Sequence, residues 1–216
     1  MWRSSRSTDW ARALGLALAV LVATSAPPLS AQDDHCHPAE PEPAPQAVEP
    51  ARYTRELASY TPPDVTLIDA QGARVPLRAE LAHEGPVAVQ LVFTTCTTIC
   101  PVLTGTAAAA RAHLPNLRWL SITIDPDEDT PERLRAYAAR FRSEPGAEPG
   151  AGWRFLTGRP EDLVAVQQAF DAYRGDKMRH EPLTLLRAAP GGPWARLQGF
   201  PTPEDLSAEL KRLAGP

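Results

Sequence analysis

The chain has 216 residues, enough for one domain with a sizeable core plus extensions. Its formal net charge of −4 carries no footprint of nucleic-acid binding, and its 22% charged residues are ordinary for a soluble protein. Three cysteines are too few for a disulfide scaffold.

Residues 1–31 read as an export signal. Arg3, Arg6 and Arg12 supply the positive end, and Ala13 to Thr24 is an apolar run short for a membrane span. Leu29-Ser30-Ala31 ends in small residues suited to cleavage before Gln32. The alternative is an uncleaved anchor with Ala11 to Ala26 in the bilayer, which would be the only membrane contact. Either way the body of the protein is expected in the periplasm or on the outer face of the cytoplasmic membrane, where unguarded thiols oxidise.

Residues 32–56 are expected to form a flexible tether, because Gln32 to about Pro50 is rich in proline, alanine and glutamate and has no apolar period. Within it, His35-Cys36-His37 offers soft and borderline metal ligands: an auxiliary metal contact on one reading, a plain linker on the other. The folded domain is expected over 57–216. It opens with a β-hairpin, Val65 to Ile68 and Ala73 to Leu77, around a turn containing Gly72.

Val87 to Phe93 is a nearly continuous apolar run, as for a strand buried on both faces. It leads into Thr94-Thr95-Cys96-Thr97-Thr98-Ile99-Cys100-Pro101. Proline favours the first helical position, so the pattern predicts Cys100 as the N-cap of a helix over 102–114, with Cys96 in the loop before it. Both thiols would then lie near the positive end of a helix dipole, which favours thiolate. Two such thiols can hold a soft metal, exchange with a partner's disulfide, or form a structural disulfide of small stabilising value.

Leu117 to Ile124 is the next predicted strand, ending at Asp125-Pro126. Asp127, Glu128 and Asp129 are expected in a solvated loop, and Thr130 caps a helix that starts with Pro131 and runs to about Arg142. Ser143 to Gly152 is a loop, Trp153 to Thr157 a strand, and Pro160 to Tyr173 a helix burying Leu163, Val166, Gln167 and Phe170. Leu183 to Leu186 and Trp194 to Leu197 form a late hairpin, and Pro203 to Leu213 is the closing helix. His83 and His113 have no partner in sequence and are expected at the surface.

Strands alternating with helices imply parallel pairing, and the late hairpin adds antiparallel strands. The expected fold is therefore α/β and thioredoxin-like: a central mixed sheet flanked by helices, with an N-terminal β-hairpin. Sites in such sheets form at the carboxyl ends of the parallel strands. If strand 183–186 is antiparallel to its neighbours, Cys96, Cys100, Asp125 and His180 share one rim.

At these residues the chain resembles the SCO/SenC proteins, copper-binding thioredoxin-fold proteins associated with assembly of cytochrome oxidase. The resemblance covers roughly Asp64 to Leu213. Phe93 to Pro101 is similar to the family's Cys-x-x-x-Cys-Pro motif, and Ile124 to Pro131 to its Asp-Pro-x-x-Asp-Thr-Pro motif. His180 resembles the third copper ligand. Thr97 stands where the family commonly has proline, and Glu181 follows the histidine where a small residue is usual. Pro182 lies close to where thioredoxins carry a cis-proline beside their redox pair.

The resemblance implies ligation of Cu(I) or Cu(II) by Cys96, Cys100 and His180, with Asp125 either orienting the site, helping a partner dock, or simply starting a turn. The implied function is an extracytoplasmic copper chaperone that delivers copper to a cytochrome c oxidase subunit or another copper protein, with a thiol reductase as a further partner. The alternative is a thiol-disulfide oxidoreductase, with Cys96 and Cys100 as its redox pair, that keeps a partner's cysteines reduced for metallation. A peroxide-reducing enzyme fits less well, since such enzymes centre on one nucleophilic cysteine.

Overall fold

The computed structural model of the protein describes residues 51–141 and 152–215. The export signal, the tether to Pro50 with His35, Cys36 and His37, and most of the 143–152 loop lie outside the described residues. Eight strands build one sheet: β1 (Tyr53–Ala58), β2 (Thr66–Asp69), β3 (Arg74–Pro76), β4 (Val87–Val92), β5 (Arg118–Thr123), β6 (Trp153–Thr157), β7 (Leu183–Arg187) and β8 (Trp194–Gly199). Their spatial order is β1-β8-β7-β4-β5-β6-β2-β3. The β4–β5 and β5–β6 pairs are parallel and the others antiparallel.

The side chains of β4 explain why it lies near the centre. All six of its residues are buried, so it can only sit between two covered faces. Val87, Val89 and Leu91 join Leu120, Ile122, Leu163 and Phe170 on one face. Ala88 joins Trp119, Ala107, Leu134 and Leu206 on the other. Among the described residues, five helices cover these faces: α1 (Leu77–Leu81), α2 (Ile99–His113), α3 (Pro131–Ala139), α4 (Pro160–Ala169) and α5 (Pro203–Ala214). α1 and α4 contribute to the first core, and α2, α3 and α5 to the second. None of these helices is long and apolar enough to cross a membrane.

The expected mixed sheet, flanking helices and β2–β3 hairpin are all present, with local differences. Folding begins at Tyr53, inside the expected tether, because β1 pairs along β8 from Tyr53↔Gly199 to Ala58↔Trp194. Gly199 makes that approach possible: it has φ 126°, and a Cβ there would lie 2.4 Å from the Arg52 carbonyl oxygen. α4 stops at Ala169, not Tyr173, since Asp171 turns left-handed with φ 50°. α2 begins at Ile99 with Thr98 as its N-cap, so Cys100 lies inside the first turn. First-turn N–H groups have no intrahelical partner, so Pro101 is accommodated there without loss of a bond.

Candidate metal centre

The register brings the predicted residues to one rim. β4 and β5 run parallel from Val87↔Arg118 to Val92↔Thr123, so Phe93 and Ile124 leave the sheet side by side. β7 runs antiparallel to β4, with Gln90 opposite Thr184. The residues just before Leu183 therefore lie at the carboxyl end of β4. His180 caps a single 3-10 turn over Lys177–Arg179 that precedes β7.

The two thiols are held differently. Phe93, Val92 and Cys100 form a small buried cluster against which Cys96 and Ile124 pack. Both cysteines carry free thiols. The Cys96 Sγ accepts from the Cys100 backbone N–H at 3.4 Å, which places it over the open end of α2. Partial burial pushes the Cys96 thiol up, but the backbone N–H groups of Cys100, Thr98 and Ile99 outweigh it, and its pKa falls below the ordinary thiol value. Cys100 is fully buried, and that burial, reinforced by Cys96 and by the charge of Asp129, raises its pKa. The expectation that both thiols favour thiolate thus holds for Cys96 and fails for Cys100, which points into the core.

Burial favours the neutral form of the His180 imidazole. Burial lowers its pKa, while the Leu91 backbone carbonyl, accepting a hydrogen bond from the ring, acts in the opposite direction. Its Nε2 is buried without a hydrogen-bond partner. A buried ring nitrogen left without a partner is available to ligate a metal. The Phe93 ring meets the imidazole edge to face, with centroids 5.7 Å apart. Phe93 also packs with the cysteines, so it touches both halves of the donor set. Among the described residues, no three His, Cys, Asp or Glu side chains are grouped closely enough to hold a metal ion. Thiolate sulfur and neutral imidazole are nevertheless the donor chemistry that copper takes.

Asp125 is buried, and its Oδ2 pairs with the Lys177 Nζ at 2.5 Å. It does not stand free as a ligand. Of the expected solvated loop, Asp127 and Glu128 are exposed but Asp129 has no exposed surface. Its Oδ1 accepts from the Thr94 hydroxyl at 2.5 Å, its Oδ2 from the Thr123 hydroxyl at 2.5 Å, and both oxygens lie within 3.2 Å of the Thr94 N–H. Sequence reasoning missed Asp129, Lys177 and Phe93. The two threonine hydroxyls that satisfy Asp129 lie on separate strand ends, and only the fold shows that they converge. His83 contacts the Asn116 carbonyl, and His113 is exposed in the last turn of α2, as expected of surface residues.

A cleft of about 210 Å³ opens beside His180, lined by Ile124, Asp125, Tyr173 and Lys177 among others. The cysteines are not part of its wall.

Comparison with known proteins gives the family. The family model described as SCO1/SenC matches residues 55–215, and the chain belongs to that family. The SCO1 protein homolog of Bacillus subtilis (strain 168) is 32% identical over 77 residues, covering 34% of this chain and 37% of that protein. The chain thus aligns with little more than a third of that curated relative's length. Among solved structures, yeast Sco1 with copper bound superposes with a TM-score of 0.59 at 18% identity, covering 74% of this chain and 96% of the other. BsSco, described as a member of the Sco family of cytochrome c oxidase assembly proteins with a disulfide switch, gives 0.59 at 23% identity over 74% and 96%. At such identities these two likenesses carry the fold, which is the one expected from the order of strands and helices.

Proposed function

We propose that this SCO1/SenC protein is an extracytoplasmic copper chaperone. It takes one copper ion on Cys96, Cys100 and His180 and passes it by ligand exchange to a cytochrome c oxidase subunit or another copper protein. The observation that carries the reading is the open Nε2 of His180, which is buried and unpartnered on the same rim as two free thiols. A buried polar atom without a partner is costly unless something is to occupy it. Copper on yeast Sco1 and the oxidase-assembly role of BsSco support the assignment. Placement outside the cytoplasm rests on the export-signal pattern of residues 1–31.

In this reading Cys96 is the entry ligand, since its thiolate is already favoured and it is partly exposed. Cys100 gives up its proton on joining the site, and the Phe93 ring has to yield for the sulfurs and the imidazole to converge. The thiolates suit Cu(I), and the imidazole nitrogen adds the capacity to hold Cu(II). The test is copper stoichiometry and absorption spectra on reduced protein in both copper states, alongside His180→Ala. The variant is expected to lose Cu(II) retention and to fail in restoring oxidase activity to a host lacking the protein. Full rescue by a variant that no longer retains copper would overturn the chaperone reading.

The asymmetry of the thiols favours a second reading, thiol-disulfide exchange. Cys96 as thiolate attacks one sulfur of a partner's disulfide and releases the other as thiol, leaving a mixed disulfide. Cys100, losing its proton, then attacks Cys96 and frees the partner as a dithiol. The Cys96–Cys100 disulfide so formed is returned to dithiol by two electrons from a thiol reductase. This chemistry does not require the His180 Nε2, so His180→Ala separates the two readings.

A further inference from the structure

The turn from Asp125 to Asp129 touches both halves of the proposed donor set. Its own shape is fixed by the Asp125 carbonyl, which accepts from the N–H groups of Glu128 at 3.2 Å and Asp129 at 2.9 Å. The Asp125 N–H in turn donates to the Thr123 hydroxyl at 2.9 Å, and Ile124 N–H donates to the Val92 carbonyl at 2.9 Å. From this small rigid unit two carboxylates reach in different directions. Asp129 grips Thr94, two residues before Cys96, through both its N–H and its hydroxyl. Asp125 grips Lys177, the first residue of the 3-10 turn that His180 closes. Lys177 also lies over the Phe93 ring, 5.9 Å from its centroid, and the His180 N–H donates to the Lys177 carbonyl at 3.3 Å.

We infer that the Asp125–Asp129 turn is a brace that sets the separation of thiol and imidazole, with Asp129 positioning the Cys96 loop and the Asp125–Lys177 pair positioning His180. Neither carboxylate is a ligand. Asp129 is enclosed by hydroxyls and an amide, with no cation against it among the described residues, which is the arrangement of a group that holds a loop in place. Lys177 is partly exposed while Asp125 is buried, so solvent at the lysine screens the pair and its contribution to global stability is small. Its effect is local: it ties a single turn to the end of β5.

The inference rests on the metal-site reading for its consequence and on geometry alone for its mechanism, so the test has two arms. In metal-free protein, hydrogen–deuterium exchange of Lys177→Ala is expected to quicken over 176–181 and to stay unchanged over 94–98. Asp129→Asn is expected to do the reverse and to slow alkylation of Cys96, as its sulfur loses alignment with the α2 amides. Lys177→Arg, which keeps the charge, is expected to restore the parent pattern. In the copper arm, Lys177→Ala and Asp125→Asn are each expected to weaken Cu(II) retention by about ten-fold, as supporting residues of metal ligands do. The double variant is expected to lose no more than either single one. Unchanged exchange over 176–181 in Lys177→Ala, or loosening of both segments by either variant, would overturn the brace. If the parent itself binds no copper, the metal reading fails, while the exchange arm still decides whether the brace exists.

Discussion

Cys96 and Cys100 are four residues apart, and their surroundings drive their ionisation in opposite directions. Cys96 gains three backbone N–H groups at the open end of α2, whereas Cys100 is enclosed with Val92 and Phe93. Iodoacetamide at neutral pH is therefore expected to modify Cys96 in the folded protein and to leave Cys100 intact until unfolding. Equal labelling of both thiols by peptide mass analysis would contradict that picture. His180 allows a second prediction at this scale. Its folded pKa lies below the ordinary value of about 6.5, so between the two values the unfolded chain binds a proton that the folded chain does not. The stability linked to His180 is complete above about pH 6.5 and falls as pH drops through that window. Urea midpoints at about pH 7.5 and pH 5.5 are expected to differ more for the parent than for His180→Gln. Equal differences would mean that the imidazole is not buried in its neutral form.

At the scale of elements, β1 depends on one side chain of α5. Glu209 has no exposed surface, yet it accepts from the Tyr53 hydroxyl at 3.0 Å, the Arg55 Nε at 2.7 Å and an Arg212 guanidinium nitrogen at 2.5 Å. Two of these partners lie on β1, so the carboxylate pins an edge strand to the helix beneath it. Glu209→Ala is expected to cost about 1–3 kcal/mol, since Arg55 and Arg212 can recover some hydration. The loss is expected as a lower denaturant midpoint together with faster amide exchange confined to 53–58. This link also shows what the sequence could and could not disclose. The buried run of β4, the Thr130 cap and the two hairpins were legible because each follows from local pattern or chemistry. Tyr53-Thr54-Arg55-Glu56 has no apolar alternation, and its place in the sheet comes from a long-range ladder with β8 and from Glu209. In the site, the motif residues and their common rim were legible from strand order. The inward turn of Cys100 and the burial of Asp129 were not, because both depend on where Phe93 and the threonine hydroxyls lie in three dimensions.

For the whole molecule, strand order separates stability from the site. The sheet runs β1-β8-β7-β4, so two strands stand between β1 and the strand that carries the cysteine loop. A variant beginning at Ala51 keeps every described contact of the sheet, including the full β1 ladder. It is expected to melt within about 2 °C of the parent. A variant beginning at Ser59 loses the ladder from Tyr53 to Ala58, leaves Glu209 with Arg212 alone, and exposes the outer edge of β8. Unpaired edges invite association, so this variant is expected to melt at least about 5 °C lower and to aggregate on heating. At low temperature, however, its Cys96 alkylation rate is expected to match the parent's, because the Cys96 loop follows β4 and the Asp125–Asp129 turn follows β5, with β8 and β7 between them and β1. A comparable melting loss in the Ala51 variant would show that residues before 51 stabilise the domain. A changed Cys96 rate in the Ser59 variant would show that the sheet edge and the thiol rim are mechanically linked, and that the site is not set by its local contacts alone.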